Sequence, residues 1–215
     1  MTRRIDTIDD VAAGLAALAL GDTRLAAIIP TAGEVPLRRS APGFASLASI
    51  IVSQQVSRAS ADAIFGRLVK LVDPLEPANV ISGGAVPLVE AGLSRPKQAA
   101  LLAAAQAVHT GTLDLHGLCD IAPEDALARL IAVHGIGEWT AEVYLLFAAG
   151  HPDIFPAKDI ALQAAAADIL GLPERPNDRA LRLLSESWSP WRGVAARLLW
   201  AHYRNLKGRE AAPTT

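Results

Sequence analysis

The run Ala132-Val133-His134-Gly135-Ile136-Gly137-Glu138-Trp139-Thr140-Ala141 has the residue types and spacing that bear most directly on chemistry. Two glycines, two apart, let the backbone turn tightly and let a partner approach it closely. If helices flank this turn, the amides of Gly135, Gly137 and the next helical turn point outward at a helix N-terminus. The helix dipole adds to them there and makes a phosphate site. A plain helix–turn–helix connection would use the same glycines. Eighteen residues beyond Gly137 begins Phe155-Pro156-Ala157-Lys158-Asp159-Ile160-Ala161-Leu162. Pro156 suits a helix entry, and Asp159 falls in the first turn. A carboxylate at that place is a structural helix-start acid, or a charge kept negative by the dipole and turned toward a groove; the two are compatible.

These residues need helices to position them, and the chain reads as helical nearly throughout. Ala and Leu are abundant, and no long β-branched alternation occurs. The pattern predicts helices over residues 8–20, 44–52, 55–71, 87–91, 96–109, 123–132, 138–149, 158–170, 178–187 and 191–207. Pro96 and Pro123 sit where a first helical turn accepts them. Gly92, Gly111 and Gly171 follow apolar runs and read as helix stops. The tail from 210 to 215 reads as frayed.

Composition narrows the classes. The 215 residues are 51% hydrophobic and 20% charged, which suits a globular chain with a real core and excludes a disordered one. No apolar stretch is long enough to cross a bilayer. Arg3 and Arg4 are followed at once by Asp6, Asp9 and Asp10, so no secretory signal is read. Cys119 is the only cysteine, so an internal disulfide, a four-cysteine iron–sulfur cluster and a zinc ribbon are excluded. A reducing cytoplasm is the expected location. The net charge of −2 argues weakly against nucleic acid, but its distribution argues the other way. From Arg175 onward stand eight basic residues (Arg175, Arg179, Arg182, Arg192, Arg197, Arg204, Lys207 and Arg209) against Asp178, Glu186 and Glu210. Phosphate contacts need a local basic face rather than a basic protein, although an ordinary solvated helix face gives the same count.

Taken together, Gly-Ile-Gly-x-Trp-Thr-Ala followed by Phe-Pro-x-x-Asp-x-x-Leu resembles the helix-hairpin-helix DNA glycosylases, specifically the 3-methyladenine DNA glycosylase II family. Ile51-Val52-Ser53-Gln54-Gln55-Val56-Ser57 resembles the family's Gln-Gln-Val-Ser segment. Gly92-Leu93-Ser94-Arg95-Pro96-Lys97 resembles its Gly-Leu-Ser-x-x-Lys turn, and Trp188-Ser189-Pro190-Trp191-Arg192 with Trp200 resembles its Trp-x-Pro-Trp-Arg element. The resemblance runs in order from about Phe44 to Tyr203.

The resemblance implies an all-α, two-lobed fold. One helical lobe spans 44–145, with the hairpin over 123–150. The other joins 1–43 to 146–209, with a DNA groove between the two. It also implies a monofunctional glycosylase that excises 3-methyladenine and related alkylpurines from double-stranded DNA. A damaged base must leave the stack to be reached. Base loss passes through an oxocarbenium-like sugar, so the enzyme needs a carboxylate that stabilises positive charge and orients or deprotonates water. Asp159 is the candidate; Asp153, before the Phe-Pro turn, is a weaker one. In members that also nick the strand, a lysine nucleophile stands where this chain has Trp139. An indole can instead stack on a flipped, electron-poor base. Trp139, Trp200 and Tyr144 are thus the expected base pocket, with Trp200 by resemblance a wall near Asp159, although tryptophan is often simply packed. The longer members carry a tyrosine one turn after the hairpin tryptophan; here Val143 stands there and Tyr144 is its neighbour.

Gln54, Gln55, Ser57, Gly135, Gly137, Thr140 and Lys158 are the expected DNA contacts. By resemblance, Gln55 fills the gap left by the flipped nucleotide, while a helix cap and a surface glutamine are the plain alternative. Ser57 would cap the following turns. No cofactor is expected to be required; by resemblance the carbonyls of Ile131, Val133 and Ile136 can hold a structural Na+ or K+. The expected protein is a monomer that binds lesion-bearing duplex DNA, with no membrane and no iron–sulfur cluster, on the nucleoid of a bacterium. A bacterial member with an extra N-terminal β-sheet domain differs from this chain, which has about forty helical-reading residues before Phe44. Rival readings are a glycosylase for deaminated or oxidised bases and a non-catalytic hairpin protein that only binds DNA.

Overall fold

A computed structural model describes residues 4–208 and 211–213. Among these residues the regular structure is helical throughout, as the composition and apolar spacing require. No described helix is long and apolar enough to cross a membrane. The chain divides into two compact units, one running up to Arg39 and resuming at Gly150–Ala212, the other Ser40–Ala149.

The first unit holds α1 (Ile8–Gly21) and α2 (Thr23–Ile28). Its second segment, which follows the helices of the other unit in the chain, supplies α10 (Ile160–Ile169), α11 (Asp178–Ser185) and α12 (Arg192–Lys207). Thr7 starts α1 with a capping box, its hydroxyl accepting from the Asp10 amide while the Asp10 carboxylate accepts from the Thr7 amide. Helix α12 is the unit's axis. It packs on α1 and α10 and buries Val194, Leu198, Leu199 and Trp200. It also holds the irregular strap before Ser40: Asn205 donates to the Thr31 carbonyl, Arg204 to that of Glu34 and Arg197 to that of Leu37. Arg197 is only 1% exposed and also donates to the Gly193 carbonyl. Burial, with Arg39 and Arg38 nearby, pushes its guanidinium down to about 9.

This arrangement corrects the charge reading of the C-terminal third. Arg197 is an internal clamp, and Arg192 is paired with Asp153 at 2.8 Å, so neither belongs to a phosphate-facing surface. Arg209 and Glu210 lie outside the described residues. The frayed tail is corrected in part as well: Ala212 is 1% exposed, while 210, 214 and 215 lie outside the described residues.

The second unit holds α3 (Phe44–Ser53), α4 (Arg58–Leu71), α5 (Pro77–Gly83), α6 (Ala85–Ala91), α7 (Arg95–His109), α8 (Pro123–Ile131) and α9 (Glu138–Phe147). Helices α3 and α9 are its centre. Leu47, Ile50, Ile51 and Val52 of α3, with Val143, Tyr144, Leu146 and Phe147 of α9, are fully buried. Such apolar sequences bury all round rather than along one stripe. Helix α7 packs on α3 and α5, and α8 packs on α9.

Differences from the expected helices have local causes. Residues 55–57 are not helical, because Gln55 takes φ +54° and Ser57 is the true cap of α4, accepting from the Ser60 amide at 3.2 Å. The helix expected over 178–187 ends at Ser185 and tightens into a 3-10 turn, Glu186–Trp188. Helices α2 and α5 were unexpected, though each carries a start signal: Asp22 accepts from the Arg24 amide, and Pro77 opens α5.

Asp22 does more than cap. It is buried and accepts from the Trp188 indole N–H at 3.0 Å and from the Arg24 guanidinium at 2.6 and 2.8 Å. The Arg24 bond is the largest cause that holds its carboxyl well below the usual range, and it outweighs burial. A carboxyl depressed in the folded state stabilises above its unfolded value and loses that contribution as pH falls through the folded one. Asp22→Asn should therefore cost about 1–3 kcal/mol at neutral pH, since Trp188 and Arg24 keep a neutral acceptor only. In urea melts its deficit against wild type should shrink as pH drops below about 4. A deficit that is constant with pH would contradict the charged role.

Candidate nucleic-acid interface and active site

Helix α8 ends at Ile131, and the chain turns through Ala132–Gly137 into α9. Two backbone bonds close the turn, from the Val133 amide to the Leu130 carbonyl and from the Ile136 amide to the Val133 carbonyl, both 3.1 Å. Its two glycines serve different ends. Gly135 has φ +81°, and a Cβ there would collide with the Ala100 Cβ and lie 2.9 Å from the Ala100 Cα on α7. It is demanded from inside, by backbone geometry and packing. Gly137 has the extended φ of −88°, and a Cβ there would meet nothing within 4 Å. It is the N-cap of α9 and has no side chain with which to cap it.

Gln54 braces this turn from α3. Its amide nitrogen donates to the Gly135 carbonyl at 3.3 Å and to the Thr140 hydroxyl at 2.9 Å. Thr140, expected among the DNA contacts, is 2% exposed, and its hydroxyl is an internal acceptor for the half-buried Gln54, which braces the hairpin. Gln55, next in sequence, is exposed and stands in the left-handed region that non-glycine residues rarely adopt. Such outliers cost of order 1–3 kcal/mol and collect at functional sites. Ser57 is exposed and caps α4, as read. Trp139 is half-buried in the first turn of α9.

Tyr144 needs correction. It is fully buried; its hydroxyl accepts from the Gly43 amide at 3.0 Å and donates to the Leu115 carbonyl at 3.1 Å. Burial is the chief cause that pushes it up from the ordinary tyrosine value. It is a strut of the second unit rather than a pocket wall. The Ile136 side chain is in the core and that of Ile131 is exposed, with Val133 between; the expected cation would use only their carbonyls.

In the first unit, Asp159 is not inside its helix but is the N-cap of α10. One carboxylate oxygen, Oδ1, gathers three N–H donors: the amides of Ala161 at 2.9 Å and Leu162 at 3.1 Å, and the Trp200 indole at 3.3 Å. The residue is 7% exposed. Its entry is fixed upstream. The Asp159 amide donates to the Pro156 carbonyl, and Gln163 donates to that of Ala157. Trp200, 1% exposed, lies against Asp159 as the resemblance implied, but as a buried hydrogen-bond donor and not as an open aromatic face. Lys158, beside it, is exposed.

Asp153 is bound otherwise. Burial would raise its carboxyl, but two bonds from the Arg192 guanidinium and one from the Ser189 hydroxyl outweigh that and hold it below the ordinary range. Bidentate pairing of this kind fixes a structural strut, which leaves Asp159 as the carboxylate with the better claim to chemistry. Sequence reasoning missed the internal role of Lys97. A lysine in the first turn of α7 opposes the helix dipole, and that misfit was the available signal.

Helices joined by a glycine-paired turn, with a capping carboxylate in the companion unit, define a helix-hairpin-helix protein. The family model described as "HhH-GPD superfamily base excision DNA repair protein" matches residues 48–190, and the chain belongs to that family. It is 30% identical to a solved Bacillus halodurans DNA-3-methyladenine glycosidase, covering 98% of this chain and 95% of that one with a TM-score of 0.76. Schizosaccharomyces pombe 3-methyladenine DNA glycosylase, solved in complex with abasic DNA, shares the fold at 24% identity and a TM-score of 0.81, covering 96% and 100%. A Mycobacterium tuberculosis relative named "Probable bifunctional transcriptional activator/DNA repair enzyme AlkA" is 32% identical over 193 residues, which are 85% of this chain. The chain spans 38% of the length of that relative and 31% of a Bacillus subtilis one, about a third in each case.

The two glycines should separate by mutation. Gly135→Ala should cost about 2–4 kcal/mol, from positive φ and overpacking on Ala100. Gly137→Ala should stay within about 0.5 kcal/mol of wild type. Equal losses in denaturant melts would contradict the different demands on the two positions.

Proposed function

We propose that this protein is a monofunctional DNA glycosylase that hydrolyses the N-glycosidic bond of alkylated purines, 3-methyladenine among them, in double-stranded DNA. The observation that carries the reading is the buried Asp159 carboxylate with three N–H donors on one oxygen, in a family of base excision repair proteins. A group so placed is fixed in orientation before substrate arrives, which is what charge stabilisation requires.

The proposed reaction begins with the hairpin. The hairpin backbone around Gly137, at the start of α9, takes a phosphate, and Lys158 adds a cationic contact. The target nucleotide leaves the stack, Gln55 occupies the gap, and Trp139 stacks on the extruded base. An alkylated purine is already cationic, so its bond to C1′ breaks with the electron pair going to the base, which leaves neutral. Asp159 stabilises the positive charge that develops on the sugar. It then orients a water whose oxygen bonds to C1′ and whose proton passes to the carboxylate and on to solvent. The products are a free base and an abasic site. Trp139 offers no amine for a Schiff base, so strand cleavage is not part of the reaction.

The carbonyls of Ile131, Val133 and Ile136 are hard oxygen donors, which suit Na+ or K+ by kind. Among the described residues no group of three or more His, Cys, Asp or Glu could hold a metal ion instead. A bound cation would tie the turn and add positive charge beneath the phosphate. The proposed working form is one chain per lesion, acting on bacterial nucleoid DNA in the cytoplasm.

Incubated with a methylated duplex, the wild-type protein should release free 3-methyladenine, and strand breaks should appear only after alkali. Duplex binding without base release would reject the enzyme. Breaks without alkali would reject the monofunctional mechanism.

A further inference from the structure

Lys97 is a buried cation that the proposed reaction does not use. It lies 8% exposed in the first turn of α7, and its ammonium donates to the Val52 carbonyl at 2.7 Å. Burial pushes it down from the ordinary lysine value. Val52 is in the last turn of α3, where the final carbonyls have no partner within the helix. A cation there also meets the negative end of the α3 dipole. Helix α3 stops one residue later, and the chain goes directly into Gln54 and the left-handed Gln55.

The same face of α7 carries Ala100, one turn on, under Gly135 of the hairpin. Gln54 then links the end of α3 to the Gly135 carbonyl and Thr140. Three contacts therefore close a circuit within the second unit: α7 to the end of α3, the end of α3 to the hairpin, and the hairpin back to α7. The exposed, strained Gln55 follows directly on Gln54 of that circuit.

We infer that Lys97 is a positioning residue for Gln55: its bond to Val52 ends α3 in register and holds the Gln54–Gln55 turn in the conformation that presents Gln55 to the duplex. Geometry favours this over a merely stabilising role. The bond acts on the carbonyl two residues before Gln54, and the positive φ of Gln55 needs an over-determined surrounding to persist. The inference rests on Gln55 entering the duplex, as proposed above.

The test uses the full chain and two duplexes, intact and carrying a stable abasic-site analogue, with 2-aminopurine opposite the site. Wild type should prefer the abasic duplex and change the 2-aminopurine emission, and Gln55→Ala should lose both. Lys97→Met keeps the apolar stem without the donor. It should bind intact duplex as wild type does, lose about tenfold of the preference, the worth of an ordinary charge-assisted hydrogen bond, and lose the emission change. Lys97→Arg, which keeps a donor, should retain most of both. In the Gln55→Ala background Lys97→Met should have no further effect on preference. If Lys97→Met keeps the preference and the emission change, the inference is overturned. It is equally overturned if a folded Lys97→Arg loses both as fully as Gln55→Ala does, a comparison that remains decisive should the Met variant not fold. A wild type that shows no abasic preference would instead reject the reading of Gln55 itself.

Discussion

An indole N–H and two helix amides meet the Asp159 carboxylate on a single oxygen, and much of the first unit is arranged to make that meeting. A charge removed from water must be met by oriented dipoles, or its burial becomes prohibitive. The entry through Pro156 and the clamp of Gln163 on Ala157 set where α10 begins. The packing of α12 on α10 sets where the Trp200 nitrogen falls. Asp22 repeats the device: it caps α2 and takes the Trp188 indole, with Arg24 as an added cation. The repetition is instructive, because the same local geometry serves as a structural peg in one place and as a candidate reactive group in the other. Arg24 pairs with Asp22, as Arg192 pairs with Asp153, and both pairs tie one element to the next.

The second unit applies the complementary rule to carbonyls. Lys97 holds the end of α3 at the Val52 carbonyl, and the half-buried Gln54 holds the hairpin turn at the Gly135 carbonyl. Gly135 is required because α7 comes so close at Ala100. Inward contacts thus fix the hairpin at Gly135, while a Cβ at Gly137 would meet nothing within 4 Å. The proposed phosphate grip on backbone amides would need this division, since it has no side chain to adjust.

Much of this was legible in the sequence because it was written in local signals. The all-helical class, the glycine-paired turn and most helix spans follow from apolar period and from Pro, Gly and Ser punctuation. The juxtaposition of Trp200 with Asp159 came only through family resemblance, as 41 residues separate them and no local pattern joins them. Tyr144 and Thr140 misled because a polar tip near a motif reads as a contact, whereas burial depends on what packs above it: Gly43 and Leu115 in one case, Gln54 in the other. The basic C-terminal third misled for the same reason, since a sequence count does not distinguish a surface arginine from one that clamps a strap, as Arg197 does. Lys97 stood in the Gly-Leu-Ser-x-x-Lys match, but only its misfit with the helix dipole hinted at an internal role.

The central claim is that Asp159 does chemistry and does not merely start a helix. Asn and Ser cap helices nearly as well as Asp, so Asp159→Asn and Asp159→Ser remove the charge while sparing the cap. The direct measurement is single-turnover release of alkylpurine from a methylated duplex by both variants, with thermal melts taken alongside. Chemistry at Asp159 predicts melting temperatures within a few degrees of wild type and excision slower by about a hundredfold or more. Excision within a few-fold of wild type by two stably folded variants would contradict it and leave Asp159 as a cap alone.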